Sequence, residues 1–523
     1  MPPVADNTPA RTIAEGYATD GAALELGTVV VDGACDPEAR VRIPLATLNR
    51  HGLVAGATGT GKTKTLQAIA GQLSDAGVPV LLADVKGDLS GMARPGEQSE
   101  RVDARARDTG DDWTPTAYPV QFLSLGDGGT AVPVRATLTQ FGPILLAKVL
   151  GLNATQESTL GLIFHWADQR GLPLLDTKDL RAVIQHLTSD EGKADLKGIG
   201  GVSPATAGVI LRALVNLEAQ GGDTFFGEPE FDPADLMRQI DGKGVVTLLE
   251  LAERAANPVL FSTFLMWLLA ELHEELPEAG DLDRPKLVFF FDEAHLLFAD
   301  ASKAFLDRIE QTVKLIRSKG VGVFFCTQLP TDVPNEVLSQ LGARVQHALR
   351  AFTPEDQKAL SRTVKTYPRS EVYDLESALT SLGTGEAIVT VLSERGAPTP
   401  VAWTRLRAPR SLMAAIGDDA VRAEAAASPL QAKYGEMVDR DSAYERLTGR
   451  IASGPGGEAT PVGAPPAAAG TPPAQPAPPQ DGDGGSGWFS KVGDFLQSPT
   501  GRQITNTVTR EITRSLFGTR RRR

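Results

Sequence analysis

Residues Gly56-Ala57-Thr58-Gly59-Thr60-Gly61-Lys62-Thr63 place a G-x-x-x-x-G-K-[ST] pattern between an apolar run, Gly52–Ala55, and a helix-forming stretch from Lys62 to Ala76. Glycines at these spacings let the backbone curl until successive N–H groups face inward onto phosphate oxygens. The N-terminus of the following helix adds the positive end of its dipole. The pattern carries this meaning only between a strand and a helix, and that context is present. Lys62 is placed to reach β- and γ-phosphates, and the Thr63 hydroxyl to hold Mg²⁺. Lys64 completes the binding stretch. The expected ligands are ATP and Mg²⁺.

Around this loop the chain alternates apolar strands with helices, which predicts an α/β fold with a mainly parallel sheet covered on both faces. Strands are expected at Thr28–Val31, Val78–Ala83, Val245–Leu251, Leu287–Phe291, Gly320–Thr327, Arg344–Leu349 and Ala387–Leu392, and an Asp32-Gly33 turn follows the first. Residues 1–50 read as a short N-terminal β segment, and 51–136 as the first part of the core. Residues 137–240 read as a helical insertion, with Leu145, Leu146, Val149, Leu150 and Leu152 clustered on its turns, and 241–452 as the second part of the core. Met92–Trp113, charged and glycine-rich, is expected to be a mobile surface loop. Residues 453–487, dominated by Pro, Ala and Gly, cannot form a core and are expected to be a disordered linker. Residues 488–523 form an amphipathic helical tail by spacing and end in Arg520–Arg523. That tail reads either as a helix capping its own α/β core or a neighbour's, or as a dock for a protein partner.

Leu287–Phe291 is five apolar residues in a row, as expected of a strand buried on both faces. Asp292 and Glu293 follow at once. Beside a phosphate loop, Asp292 suits the hydration shell of Mg²⁺, and Glu293 suits orienting or deprotonating the attacking water. An acidic pair opening a helix can also be an N-cap with a first-turn charge. Gln328, at the end of its strand, can present an amide to the γ-phosphate. Arg317 is either a basic charge at a helix C-terminus or an arginine finger reaching a neighbouring subunit, with Arg344 and Arg350 as alternatives. Asp84 ends a strand on the ligand-binding edge of a parallel sheet, or simply caps its loop. His295 is either a nucleotide-state sensor or a packing residue.

A 523-residue chain exceeds one hydrophobic core, and 41% hydrophobic with 22% charged residues is ordinary for a globular protein. Its two cysteines, Cys35 and Cys326, have no metal-ligand or disulfide pattern, which suits reduced thiols in a cytoplasmic protein. The first residues are polar and proline-rich, with no leader pattern. The apolar run Pro258–Ala270 is shorter than the roughly 20 residues of a membrane span. A net charge of −13 argues against a surface that grips nucleic acid broadly, so DNA contact would need a local basic feature.

Gly56–Thr63, Asp84-Val85-Lys86-Gly87, Phe291-Asp292-Glu293-Ala294-His295, Arg317 and Thr327-Gln328-Leu329-Pro330 together resemble the HerA/FtsK superfamily of P-loop ATPases. The runs Gln328–Pro334 and Gln340–Ala348 are similar to the bacterial HerA-like helicase family within it. The resemblance implies a RecA-like core with a helical insertion, and an ATP-hydrolysing hexameric ring that moves DNA. It assigns catalytic roles to Lys62, Glu293, the sensor Gln328 and the trans-acting Arg317, and metal binding to Thr63 and Asp292. HerA itself carries a small β-barrel ahead of its phosphate loop. Only 55 residues precede Gly56 here, room for a strand or two. The alternative is an ATP-driven assembly or signalling switch acting on protein partners without DNA translocation.

Overall fold

The computed structural model describes residues 8–84, 87–127, 129–196, 200–250, 258–280, 282–299, 301–393 and 395–452. The expected linker and tail, 453–523, and Val85-Lys86 lie outside the described residues. The strands are β1 (Ala23–Val31), β2 (Ala34–Pro44), β3 (Gly52–Ala55), β4 (Val80–Asp84), β5 (Val120–Leu125), β6 (Val132–Val134), β7 (Gln239–Ile240), β8 (Lys243–Gly244), β9 (Val246–Glu250), β10 (Leu287–Phe291), β11 (Val321–Thr327), β12 (Ala343–Gln346), β13 (Glu386–Thr390) and β14 (Ala402–Leu406). Twelve of them make one sheet in the order β2-β1-β14-β13-β12-β3-β11-β10-β4-β9-β5-β6, and β7 and β8 pair separately. From β12 to β6 every pairing is parallel; β13, β14, β1 and β2 extend the sheet antiparallel.

The parallel strands are apolar throughout because helices cover both faces. In β10, Phe289 and Phe291 enter one core with Leu81, Val323 and Phe325. Val288 and Phe290 enter the opposite core with Val80, Leu82 and Phe324. Each fully buried Phe contributes on the order of 1.5–3 kcal/mol relative to an exposed one. The first core is roofed by the helical insertion and by helices Pro258–Glu275 and Lys303–Ile316. Within the insertion, helices Ala154–Gln169, Thr177–Thr188 and Pro204–Ala219 start at the side-chain caps Asn153, Asp176 and Ser203, as the capping preference of short polar residues dictates. The second core holds helices Lys62–Asp75 and Thr8–Glu15.

Two local expectations change, and the N-terminal one gains a second strand. Met92–Trp113 is not a mobile loop: it contains helix Glu100–Thr109, whose cap Ser99 accepts from the Val102 amide and which ends at Gly110 with φ 58°. Its charged composition reflects a helix that buries few of its residues, among them Val102 and Thr109, while Arg105 reaches across to the carbonyls of Gly385 and Leu406. The N-terminal segment is a full hairpin, turning at Asp32 (φ 50°) and Gly33 (φ 77°), and it joins the main sheet through β14. The strand expected at Arg344–Leu349 ends at Gln346. Beyond β14 the chain returns to the far end of the sheet, where Arg135 donates to the Tyr434 carbonyl (2.9 Å) and the Tyr444 amide donates to Asp179 (2.7 Å).

Candidate nucleotide site

The loop 56–63 leaves β3 between its two neighbours. The Gly56 amide donates to the Thr327 carbonyl at the end of β11 (3.2 Å), and the Ala57 amide to the Ala348 carbonyl beyond β12 (2.9 Å). Glycine is required where the loop turns against protein. A Cβ at Gly56 (φ 152°) would lie 2.5 Å from the His347 Cβ, and one at Gly61 (φ 113°) would lie 3.2 Å from the Gly385 nitrogen. At Gly59 (φ 81°) the surroundings are open. Gly61 starts the helix Lys62–Asp75 with no side-chain cap, so the amides of its first turn lack intrahelical acceptors. Lys62 folds its ammonium into the curl, donating to the carbonyls of Gly56 (2.6 Å) and Ala57 (3.3 Å). Uncapped amides, an ammonium inside the curl and open space at Gly59 fit a bound polyphosphate.

Two strands away, β10 delivers Asp292 and Glu293 to the same sheet edge. Glu293 adopts φ 46°, a left-handed conformation that costs a non-glycine residue on the order of 1–3 kcal/mol, and its amide donates to Asp292 Oδ1 (2.9 Å). Backbone strain of this kind clusters at functional sites. The Ala294 amide ties the turn to the Cys326 carbonyl (2.9 Å), and His295 Nδ1 lies 3.4 Å from Glu293 Oε2. Burial pushes the Cys326 thiol well up, and neighbouring Asp292 adds to it. On β11, Thr327 Oγ1 (2.7 Å) and the Leu329 amide (3.0 Å) both donate to Asp332, a turn that leaves Gln328 exposed.

Asp84 accepts from the amides of Asp88 (3.2 Å) and Leu89 (2.9 Å), so it caps its own loop. Burial raises its carboxyl to about 6, with repulsion from Asp88 and Asp292 adding. Lys64 turns away from the curl: its ammonium donates to the Met413 carbonyl (2.6 Å), leaving only its backbone in the first turn. Arg344 donates to the Thr366 carbonyl (2.6 Å) and stacks over Tyr367, so it is spent on packing. Arg317 is exposed in the turn Arg317–Lys319, before β11 begins, and lies beside His51 at the start of β3. It stands at the opposite sheet edge from the phosphate loop, the length of β11 away, roughly 20 Å.

Two residues at the loop were not singled out as its neighbours from the sequence. His347 is buried beneath it, its Nε2 3.0 Å from Thr65 Oγ1; burial depresses the imidazole to about 4, with Lys62 adding, so it stays neutral. Arg350 donates to the Thr58 carbonyl (3.2 Å) within the same chain. Extending the strand to Leu349 concealed both, because β12 actually ends at Gln346 and its following residues lie on the ligand edge.

A parallel sheet with a phosphate loop at the end of β3 and an Asp-Glu pair at the end of β10 defines a RecA-like P-loop ATPase. The model of the Helicase HerA-like C-terminal family matches residues 31–523, and the chain belongs to that family. Two relatives, the DNA double-strand break repair helicases HerA of Sulfurisphaera tokodaii and Sulfolobus acidocaldarius, are each 23% identical over 398 residues, covering 74% of this chain and 71% of theirs. The plasmid coupling protein TrwB in complex with a non-hydrolysable ATP analogue is similar in fold, with TM-score 0.50 and 15% identity over 77% of this chain and 94% of that one. Among the described residues no helix is long and apolar enough to cross a membrane.

Proposed function

We propose that this ATPase works as a homo-oligomeric ring, hexameric by family resemblance, that couples ATP hydrolysis to movement along DNA. The observation that carries the reading is the opposite placement of Arg317 and the phosphate loop. An exposed arginine at one sheet edge cannot reach its own γ-phosphate, but it can reach that of a neighbour stacked edge to edge. In this reading Lys62 and the first-turn amides bind the β- and γ-phosphates, while Thr63 and Asp292 hold Mg²⁺. That ion, when bound, would supply positive charge against the phosphates. Glu293 orients water and takes its proton, and Gln328 senses the γ-phosphate. The two DNA double-strand break repair helicase relatives support DNA as the track.

The test mixes two inactive variants. Arg317→Ala should bind ATP without hydrolysing it, and Glu293→Gln should do the same. Mixed subunits should regain part of the wild-type rate, because some interfaces then pair an intact Glu293 with an intact Arg317. Mixtures no faster than either variant alone would sink the shared site. ATP turnover that rises on adding DNA is expected. A net charge of −13 favours the second reading, a switch acting on protein partners, and turnover indifferent to DNA across a range of salt would select it.

A further inference from the structure

The segment that leaves β12 lies against the phosphate loop. We infer that Arg350 and Phe352 form the nucleoside-binding end of that site, with the Phe352 ring as a stacking platform for the base; this rests on the phosphate-loop reading above. The sheet order sets the direction. β11 and β10, which carry Gln328 and the Asp292-Glu293 pair, flank β3 on one side, so the terminal phosphate lies there. The nucleoside must then leave the curl on the other side, where β12 and β13 lie and where Gly61 packs against Gly385.

On that side the chain after β12 is fixed to the loop itself. The Ala348 carbonyl accepts from the Ala57 amide (2.9 Å), the Leu349 amide donates to the Leu379 carbonyl (2.8 Å), and Arg350 Nη2 lies 3.2 Å from the Thr58 carbonyl. Two residues later Phe352 is 85% exposed, the largest exposure among the large hydrophobic side chains of the described residues. An apolar ring in water usually marks a mobile loop or an accident of the surface. Here the backbone is held: the amides of Phe352 (3.1 Å) and Thr353 (3.0 Å) both donate to Asp356 Oδ2, and Thr353 Oγ1 accepts in return from the Asp356 amide (3.1 Å). A solvated aromatic on a fixed backbone, two residues along the chain from a cation that touches the phosphate loop, is what a flat base above a phosphate chain requires. A π-face accepts any base, so the platform recognises a nucleoside without selecting strongly among purines.

The experiment compares ATP with inorganic tripolyphosphate as ligands of the full chain, by calorimetry or by competition against a fluorescent nucleotide. Phe352→Ala should weaken ATP binding about five- to hundredfold, the worth of one stacked base, and leave tripolyphosphate binding unchanged. Phe352→Trp should retain ATP affinity. ATP and GTP should lose affinity alike. If Phe352→Ala binds ATP as tightly as wild type, the platform is wrong, whatever else the variant changes in assembly or DNA response. Lys62→Ala separates the two readings. It should lose both ligands, and if it keeps both, the phosphate-loop assignment fails as well.

Discussion

The eight parallel strands from β12 to β6 and the four antiparallel strands β13, β14, β1 and β2 share one hydrogen-bonded sheet but carry different work. In the parallel part the residues of β3, β4, β10 and β11 are buried without exception, and side chains alternate between two cores. In the antiparallel part β2 and β14 alternate buried with more exposed positions, and charges cross between strands and to the helix Glu100–Thr109. Arg42 meets Glu25 at 2.6 Å, and Arg405 meets Glu386 at 2.9 Å and Asp108 at 2.6 Å. Burial on both faces fixes each parallel strand end in space, so the loops at their C-terminal edge can hold polar groups to the accuracy that phosphate chemistry needs. The antiparallel extension instead braces the phosphate loop from the side, through β13 and the contact of Gly385 with Gly61.

The largest effect that could break this comparison is at the edge of the parallel half. Glu293→Gln should lower steady-state ATP turnover by about 10²–10⁴, the worth of one general base, while nucleotide binding persists. A variant that turns over at the wild-type rate would show that the strained residue is not the water-activating group. Next, Phe290→Ala removes a ring packed 5.1 Å from Phe324 and should cost about 3–5 kcal/mol of stability, read from the shift in urea midpoint.

Acidification probes the boundary between the loop and its supports. His51, before β3, donates from Nε2 to the Val313 carbonyl (2.7 Å) and accepts at Nδ1 from the Val323 amide (3.1 Å), which fixes it as a neutral imidazole. Burial lowers it from 6.5 to about 4, Val313 opposes that and Arg317 adds to it. A depressed folded value means the unfolded chain takes up the proton first. The stability it contributes is therefore complete above pH 6.5 and lost as pH falls from there towards 4. Wild type should exceed His51→Gln in urea midpoint at pH 7.5, with the gap closing across that window; a gap independent of pH would refute the neutral assignment. The smallest effect belongs to the antiparallel half. Arg42→Ala breaks a partly exposed ion pair and should change stability by no more than about 1 kcal/mol, less in high salt. A larger loss would mean that the extension supports the core more than its charge pattern suggests.

How legible each part was follows from the same difference. The run Leu287–Phe291, the helix Pro258–Glu275 and the strand–loop–helix around Gly56–Thr63 announce themselves by unbroken apolar stretches and by glycines at fixed spacing. Helix Glu100–Thr109 did not, since a helix that buries few of its residues reads as a charged loop unless Ser99 and Gly110 are recognised as its ends. The early end of β12 was hidden because Val345-Gln346-His347-Ala348-Leu349 keeps strand-like composition past Gln346, its last paired residue.

From its sequence alone this chain is an α/β protein with a phosphate loop and a buried strand ending in Asp292-Glu293, because phosphate binding and double-sided burial each demand residue types that few other structures tolerate. The tertiary structure alone placed His347 and Arg350 against that loop, turned Lys64 towards Met413, and set Arg317 at the far edge of the sheet. Those placements depend on strand order and on which end of each strand a residue occupies. Both are set by long-range pairing, which no local spacing in the chain encodes.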